Sequence, residues 1–473
     1  MQNSLGAFGD RRVDRAGAFL KERLIEVGQS GVRVRPLGGD RAGEVRLGRF
    51  LRRERVTPGK MIEAAGRHTS ERVAGRHVLV IQDTSTLRDD GDKRSRNLHP
   101  SIAVDAADGT LLGLVHASFH TRSGGRKELR GKRPFEDKES QRWLEATQHA
   151  AKLVAAGAAC VTVVADRECD IHDEFALRPA ETELVIRARH DRVLANKVRL
   201  FSCTDGLPEL GREIISLPSA PGRPARQATL ALRACQVTIR RPMRNKVAEA
   251  AKLPPEVVLW FVEAREVDPP ADVTPAHWRL LTTHGVTTLA EATRITYFYR
   301  QRWTIEQLFR VMKTKGFDIE AVRIADEKPF ENLVAATLIA AVSVPQMVRE
   351  RDGAAKRPME DVLDSDDKAA VEAICETVEG KTERQKNPHP KGFPGLYRMG
   401  PWTPGRMEHI LRTTGTGCDS QWFFAIENHA ERLAGLRKCV NLVGSNPRMT
   451  KARESTSSPA GISIAPIRIG GVP

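Results

Sequence analysis

The sequence predicts an α/β fold in which a central sheet is flanked by helical regions at both ends of the chain. Three observations point there. Two short, largely apolar runs, Val78–Ile81 and Cys160–Ala165, have the character of strands buried on both faces. Glu139–Ala156, lying between them, has the apolar spacing of an amphipathic helix. Helical spacing also dominates before about residue 65 and again from about residue 329.

In chain order, Val13–Val27 places Ala16, Phe19, Leu20 and Leu24 on one helical face. Gly38-Gly39 interrupts the pattern, Val45–Leu51 resumes it, and Pro58 suits the start of a further helix. The run Val78–Ile81 reads as a central strand ending at Asp83. Ser101–Val104 and Leu111–Phe119 read as a hairpin turning at Asp108-Gly109. Residues 122–138 read as a basic loop. The strand Cys160–Ala165 also ends in an acid, Asp166, and Leu184–Ile186 follows as a fifth strand. Alternating stretches at Ala228–Leu232, Val237–Ile239, Val257–Val262 and Trp278–Thr282 suggest a β-rich insertion over about 190–283. Thr288–Lys315 reads as one long helix, with Thr288 and Glu291 at capping-box spacing and Gly316 as its terminator.

These readings divide the chain into a helical N-terminal domain (1–65), an α/β domain (66–328), a helical C-terminal region (329–445) and a disordered Ser/Pro/Gly-rich tail (446–473).

The charge balance narrows the partners. Lys and Arg number 75 against 60 Asp and Glu, a net charge of +15, so the chain is drawn to polyanions. Residues 1–60 hold fourteen Lys/Arg and seven Asp/Glu. Most of those bases are Arg, Arg52, Arg53 and Arg55 among them, and Arg pairs in bidentate fashion with phosphate and guanine edges. The seven cysteines form no C-x-x-C pair, which speaks against a disulfide framework or a zinc site. The longest apolar stretch, Leu333–Val344, is too short to span a bilayer. A soluble, cytoplasmic protein is expected.

Two adjacent strands that each end in Asp would set Asp83 and Asp166 at one sheet edge. Close carboxylates repel unless a cation lies between them, and oxygen ligands favour Mg²⁺ or Mn²⁺. A lone Asp at a strand end is more often a turn cap. The helix to their C-terminal side adds weight, because Tyr299, Arg302, Glu306 and Lys313 fall at intervals that share one face, with Arg310 beside them. One acid among bases suits a metal and a nucleic-acid backbone, although an ion-paired solvated face is the commoner fate of such a stripe.

The spacing Y-x2-R-x3-E-x6-K at Tyr299, Arg302, Glu306 and Lys313 resembles the signature of a family of bacterial insertion-sequence DDE transposases. Val80–Thr86 resembles that family's first-aspartate strand and Val164–His172 its second-aspartate segment. Asp137–Ser140 with Trp143, and Val185–Arg189, are similar to further family segments. The resemblance runs in order from about residue 8 to 390.

The resemblance implies a ribonuclease H-like catalytic core broken by a β-rich insertion ahead of the glutamate helix. It implies phosphoryl transfer with two Mg²⁺ ions, or Mn²⁺ as substitute, roughly 3.5–4 Å apart and held by Asp83, Asp166 and Glu306. Implied partners are double-stranded DNA, as terminal inverted repeats and as target, and a second copy of the chain in a DNA-bound homodimer. The protein would act at the bacterial nucleoid, and the route to the second strand would be a DNA hairpin. Tyr299, Arg302 and Lys313 are expected to meet phosphates near the cut, with Arg310, Arg187 and Arg189 as further DNA contacts. Trp278 is expected to stack a flipped base, though plain packing also explains it. His172 is a neighbour of the site or a structural histidine.

Phe393–Ser420 departs from the family pattern, lacking the apolar helical repeats expected of a pairing surface. That predicts a mainly monomeric free protein. Two other readings stay open: a ribonuclease H-like nuclease or resolvase that only hydrolyses, and a decayed or regulatory DNA-binding relative.

Overall fold

The computed structural model describes residues 5–27, 31–89, 94–123, 140–217, 225–242, 253–271, 273–313 and 316–349. The expectations for the 122–138 loop (apart from Arg122 and Ser123), the 393–420 departure and the tail lie outside these residues, as does the C-terminal region beyond 349.

The chain opens with four helices: α1 (Arg11–Val27), α2 (Val34–Gly38), α3 (Arg41–Arg52) and α4 (Pro58–Ser70). Asp40 caps α3 by accepting from Gly43 N, and Thr57 caps α4 ahead of a Pro in the first turn. Among the described residues ten strands then form one sheet: β1 (His77–Gln82), β2 (Ser85–Asp89), β3 (Arg94–Asp105), β4 (Leu111–Ser123), β5 (Cys160–Ala165), β6 (Thr182–Arg187), β7 (Gly211–Leu217), β8 (Arg226–Arg240), β9 (Glu256–Val267) and β10 (His277–Thr282). Helices α5 (Gln141–Ala155) and α6 (His172–Leu177) lie between strands. Beyond β10 come α7 (Leu289–Arg300), α8 (Trp303–Met312) and α9 (Glu327–Arg349).

The sheet order is β2-β3-β1-β5-β6-β10-β9-β8-β7, with β4 on the other edge of β3. β1, β5 and β6 are mutually parallel, whereas β3 is antiparallel to β1 and β4 antiparallel to β3. The β-rich segment therefore extends the central sheet outward through β10, which pairs antiparallel with β6. The two alternating stretches at 228–232 and 237–239 are parts of one strand, β8, paired with β9 over twelve residue pairs.

Strand alternation sends neighbouring residues to opposite faces. Val78, Val80, Val161, Val163, Leu184 and Ile186 pack with Trp143, Ala150 and Leu153 of α5. On the other face Leu79, Ile81, Val164 and Val185 share a core with Ile295, Phe298, Ile305 and Leu308 of α7 and α8. The same core takes in Leu20, Leu47, Phe50 and Leu51 of the N-terminal helices and Phe330, Leu333 and Leu338 of α9. Fully buried Asn332 joins them, its amide donating to Leu51 O (2.8 Å) and Val56 O (3.1 Å). Gly113, at φ +154°, lets β4 approach α4; a Cβ there would lie 2.3 Å from Thr69 Oγ1. Cys203 and Cys235, both free thiols, approach to 3.0 Å within the β-rich extension.

One expectation changes. The spacing predicts a single helix over 288–315, but the structure has two. The capping box at Thr288 and Glu291 starts α7. At Gln301 and Arg302 the backbone tightens into i→i−3 bonds, Gln301 N to Phe298 O and Arg302 N to Tyr299 O, and the chain restarts as α8. α8 ends at Met312, ahead of Gly316, where a Cβ would meet Val311 O at 2.2 Å. No helix among the described residues is long and apolar enough to cross a membrane.

Candidate active site

Parallel pairing of β1 with β5 matches Ile81 to Val164, so two steps further on Asp83 and Asp166 stand abreast at the C-terminal edge of the sheet. β1 stops there because its neighbour on β3 is Pro100, which has no N–H to give the ladder; Asp83 N reaches Pro100 O at 3.4 Å. Each carboxylate is steadied by a nearby backbone N–H. Asp83 Oδ1 accepts from Thr84 N (2.8 Å), and Asp166 Oδ1 accepts from Glu168 N (2.9 Å) as the cap of a 3₁₀ turn, Arg167–Cys169.

Glu306 arrives on the first turn of α8, and Arg302 precedes that helix. The Arg302 guanidinium donates to Asp83 Oδ2 at 2.9 Å and pairs with the Glu306 carboxylate four residues on. Burial lifts the Asp83 carboxyl to about 6; Arg302 and the Thr84 N–H pull it down, while the charges of Asp166 and Glu306 push it up. Asp83 thus feels both other acids. Among the described residues, no group of three or more His, Cys, Asp or Glu side chains forms a ready metal cage. The positive charge between Asp83 and Glu306 is Arg302. The donor set, carboxylate oxygens without thiol or imidazole, suits a hard divalent cation.

The remaining sequence-flagged residues separate into groups. Tyr299 is buried and packs edge-on against Trp278, ring centroids 5.9 Å apart. Arg187, opposite Leu280 of β10, lies 6.0 Å from the Tyr299 ring centre, with a long 3.5 Å contact to the hydroxyl. Arg310 is exposed and stacks over Trp303, itself 38% exposed. Lys313 closes α8 and pairs with Glu320 at 2.9 Å. Arg189 is exposed, and its backbone N donates to Asp170. Of the four-residue stripe, Tyr299 and Glu306 both lie within electrostatic reach of Arg302. His172 is buried with neither ring nitrogen partnered. Burial lowers its pKa, and the charges acting on it are Asp173, Arg192 and Arg241 rather than the three acids.

A set of residues that spacing did not single out lies beneath the acids. Arg142, at the start of α5, donates through Nε to Thr84 Oγ1 and through a terminal nitrogen to Glu168 Oε2, each at 2.9 Å. Thr84 Oγ1 contacts His99 Nδ1 (2.8 Å), and His99 Nε2 contacts Gln82 Oε1 (3.1 Å). The Gln82 amide donates to Thr147 (3.1 Å), whose hydroxyl donates to fully buried Glu174 at 2.5 Å. The available signal was proximity: Arg142 adjoins Trp143, and Thr84 follows Asp83.

Residues 163–343 match the family model described as the transposase DDE domain, a span that takes in Asp166, Tyr299, Arg302, Glu306 and Lys313 and leaves Asp83 outside it. Over that span this chain is similar to transposases of the DDE type.

Proposed function

We propose that this chain is an insertion-sequence DDE transposase with a ribonuclease H-like core, which cuts the ends of its element and joins them to target DNA. The observation that carries the reading is that Arg302 bonds both Asp83 and Glu306 while Asp166 lies level with Asp83 at the sheet edge, with Asp166 and Glu306 inside the transposase-like span. The order β4-β3-β1-β5-β6, antiparallel on one side of β1 and parallel on the other, supports the ribonuclease H-like assignment.

Asp83, Asp166 and Glu306 would together hold two Mg²⁺ or Mn²⁺ ions. Those ions would supply the activated nucleophile and charge stabilisation at the leaving oxygen. Arg302 holds the acids while DNA is absent and turns to a backbone phosphate when DNA binds, because phosphate matches its bidentate fork. Tyr299, Lys313, Arg310, Arg187 and Arg189 hold DNA near the cut. Trp278, against Tyr299, offers a stacking face for a base displaced in a hairpin. Two protomers pair on two DNA ends, with the Arg-rich N-terminal helices reading the terminal repeat.

The test uses the full-length protein with DNA carrying the inverted repeats that flank its gene. Mg²⁺- or Mn²⁺-dependent nicking and strand joining are expected at the element's ends. Asp83→Asn, Asp166→Asn and Glu306→Gln should each abolish cutting and leave end binding largely intact. Cutting at the wild-type rate by Glu306→Ala would overturn the three-acid assignment.

A further inference from the structure

We propose that Arg142 is a positioning residue that fixes the separation and orientation of Asp83 and Asp166; the inference rests on the proposed role of those acids. Strand pairing sets Asp83 and Asp166 level, but it leaves their side-chain rotamers free. Each carboxylate accepts one backbone N–H, from Thr84 for Asp83, which Arg302 also bonds, and from Glu168 for Asp166. Arg142 bonds the side chains of those same two residues at 2.9 Å each. One planar guanidinium therefore ties the two acid-bearing turns together across the gap between β1 and β5.

Arg142 is itself held in place. Its side chain is 11% exposed, and its guanidinium lies 5.3 Å from the ring centre of Trp143. Trp143 in turn packs edge-on against His99, centroids 4.6 Å apart.

The hydrogen-bond chain from Arg142 also has one consistent direction. Gln82 donates its amide N–H to Thr147, so its oxygen faces His99 and accepts from Nε2. His99 is fully buried and held neutral by that burial, so with Nε2 protonated its Nδ1 accepts from the Thr84 hydroxyl. That hydroxyl accepts from Arg142 Nε at the same time. Donation thus runs from the Arg142 cation through Thr84, His99, Gln82 and Thr147 to the Glu174 carboxyl, with both hydroxyls used as donor and acceptor. A chain whose donors all run one way from a cation resists reorientation, and Thr84, the residue that holds Asp83, is one of its links.

The experiment measures Mn²⁺ binding to the full-length, DNA-free protein by electron paramagnetic resonance, alongside the thermal midpoint and the nicking rate. Arg142→Ala should weaken Mn²⁺ binding by about 10- to 100-fold, the usual penalty for losing a group that orients metal-facing carboxylates. Millimolar guanidinium should restore part of the loss. Glu168→Ala should reproduce the weakening, and Glu168→Gln, which still accepts a hydrogen bond, should recover part of it. The double variant Arg142→Ala/Glu168→Ala should be no worse than either single one, because both remove the same tie. Additive losses, or unchanged Mn²⁺ affinity in Arg142→Ala, would sink the proposal. If Arg142→Ala does not fold, the two Glu168 variants decide, since that side chain is 53% exposed and tolerates change. Asp83→Asn serves as the separate control: undiminished Mn²⁺ binding there overturns the metal reading itself rather than the role of Arg142.

Discussion

Arg302 and Asp83 lie 219 residues apart in sequence, yet a guanidinium nitrogen of one sits 2.9 Å from a carboxylate oxygen of the other. The same guanidinium reaches Glu306. A fixed cation between two acids lowers their appetite for a divalent one. Arg302→Gln should therefore raise Mn²⁺ affinity of the DNA-free protein about tenfold, equivalent to ~1.4 kcal/mol. The same change should slow nicking, because no guanidinium is left there to meet the DNA backbone. Calorimetric titration with Mn²⁺ checks the first half; weaker binding in the variant would show that Arg302 helps the metal in.

Metal binding should also depend on pH. Burial holds the Asp83 carboxyl at about 6, and it must lose its proton to take a cation. Mn²⁺ affinity should fall about tenfold for each pH unit below about 6 and level off above it. An affinity that stays flat between pH 5 and 7 would falsify the assignment of Asp83 as the titrating ligand.

Glu174 gives a stability test. Burial raises its carboxyl from 4.5 to about 7, against the opposing pull of the Thr147 hydrogen bond. The folded value lies above the unfolded one, so folding takes up a proton. The associated stability is fully present below pH 4.5 and is lost as pH rises through about 7. At ~1.4 kcal/mol per tenfold step, the loss by pH 8 is roughly 3 kcal/mol. Asp83 acts in the same sense at lower pH, while His77, His99, His116, His172 and His284, all held below their usual value by burial, act in the opposite sense. The Glu174 contribution is therefore read as a difference: Glu174→Gln should gain thermal midpoint over the metal-free wild type by a margin that grows as pH rises toward 8. A curve parallel to wild type would assign the dependence elsewhere.

Much of the acid-bearing sheet edge was legible in the sequence because it rests on local signals. A strand buried on both faces shows as an apolar run, and an acid directly after it marks the sheet edge, as at Asp83 and Asp166. The capping box at Thr288 is a three-residue rule, and it starts α7 as expected. The break at Gln301–Arg302 was not legible, because both residues keep right-handed helical dihedrals and the i→i−3 bonds preserve nearly helical periodicity. Arg142 was hidden for a different reason. It is one of 75 basic residues, and its importance comes from two turns that meet it only in the folded sheet.

The N-terminal arginines need a charge test rather than a truncation. Deleting residues 1–60 would strip Leu20, Leu47, Phe50 and Leu51 from a core shared with the sheet and α9. It would also leave the buried Asn332 amide without its two carbonyl acceptors, an orphaning worth about 1–3 kcal/mol by itself. The triple change of exposed Arg52, Arg53 and Arg55 to Gln keeps that core. It should weaken binding to end DNA and flatten the dependence of log K on log salt by roughly one for each phosphate no longer neutralised. An unchanged slope would move the DNA-reading surface elsewhere.

The seam at Asn332 has a consequence for DNA geometry. Among the described residues, α9 and the N-terminal helices share one core with the sheet, which ties the arginine-rich surface to the acid edge. On the proposed function the protein then works as a rigid caliper. The span from recognised bases to cut phosphate is written into side-chain packing, and the DNA must supply a matching length. Lengthening the spacer by half a helical turn, about five base pairs, turns the cut phosphate to the far side of the duplex, where no swing of a domain can follow it.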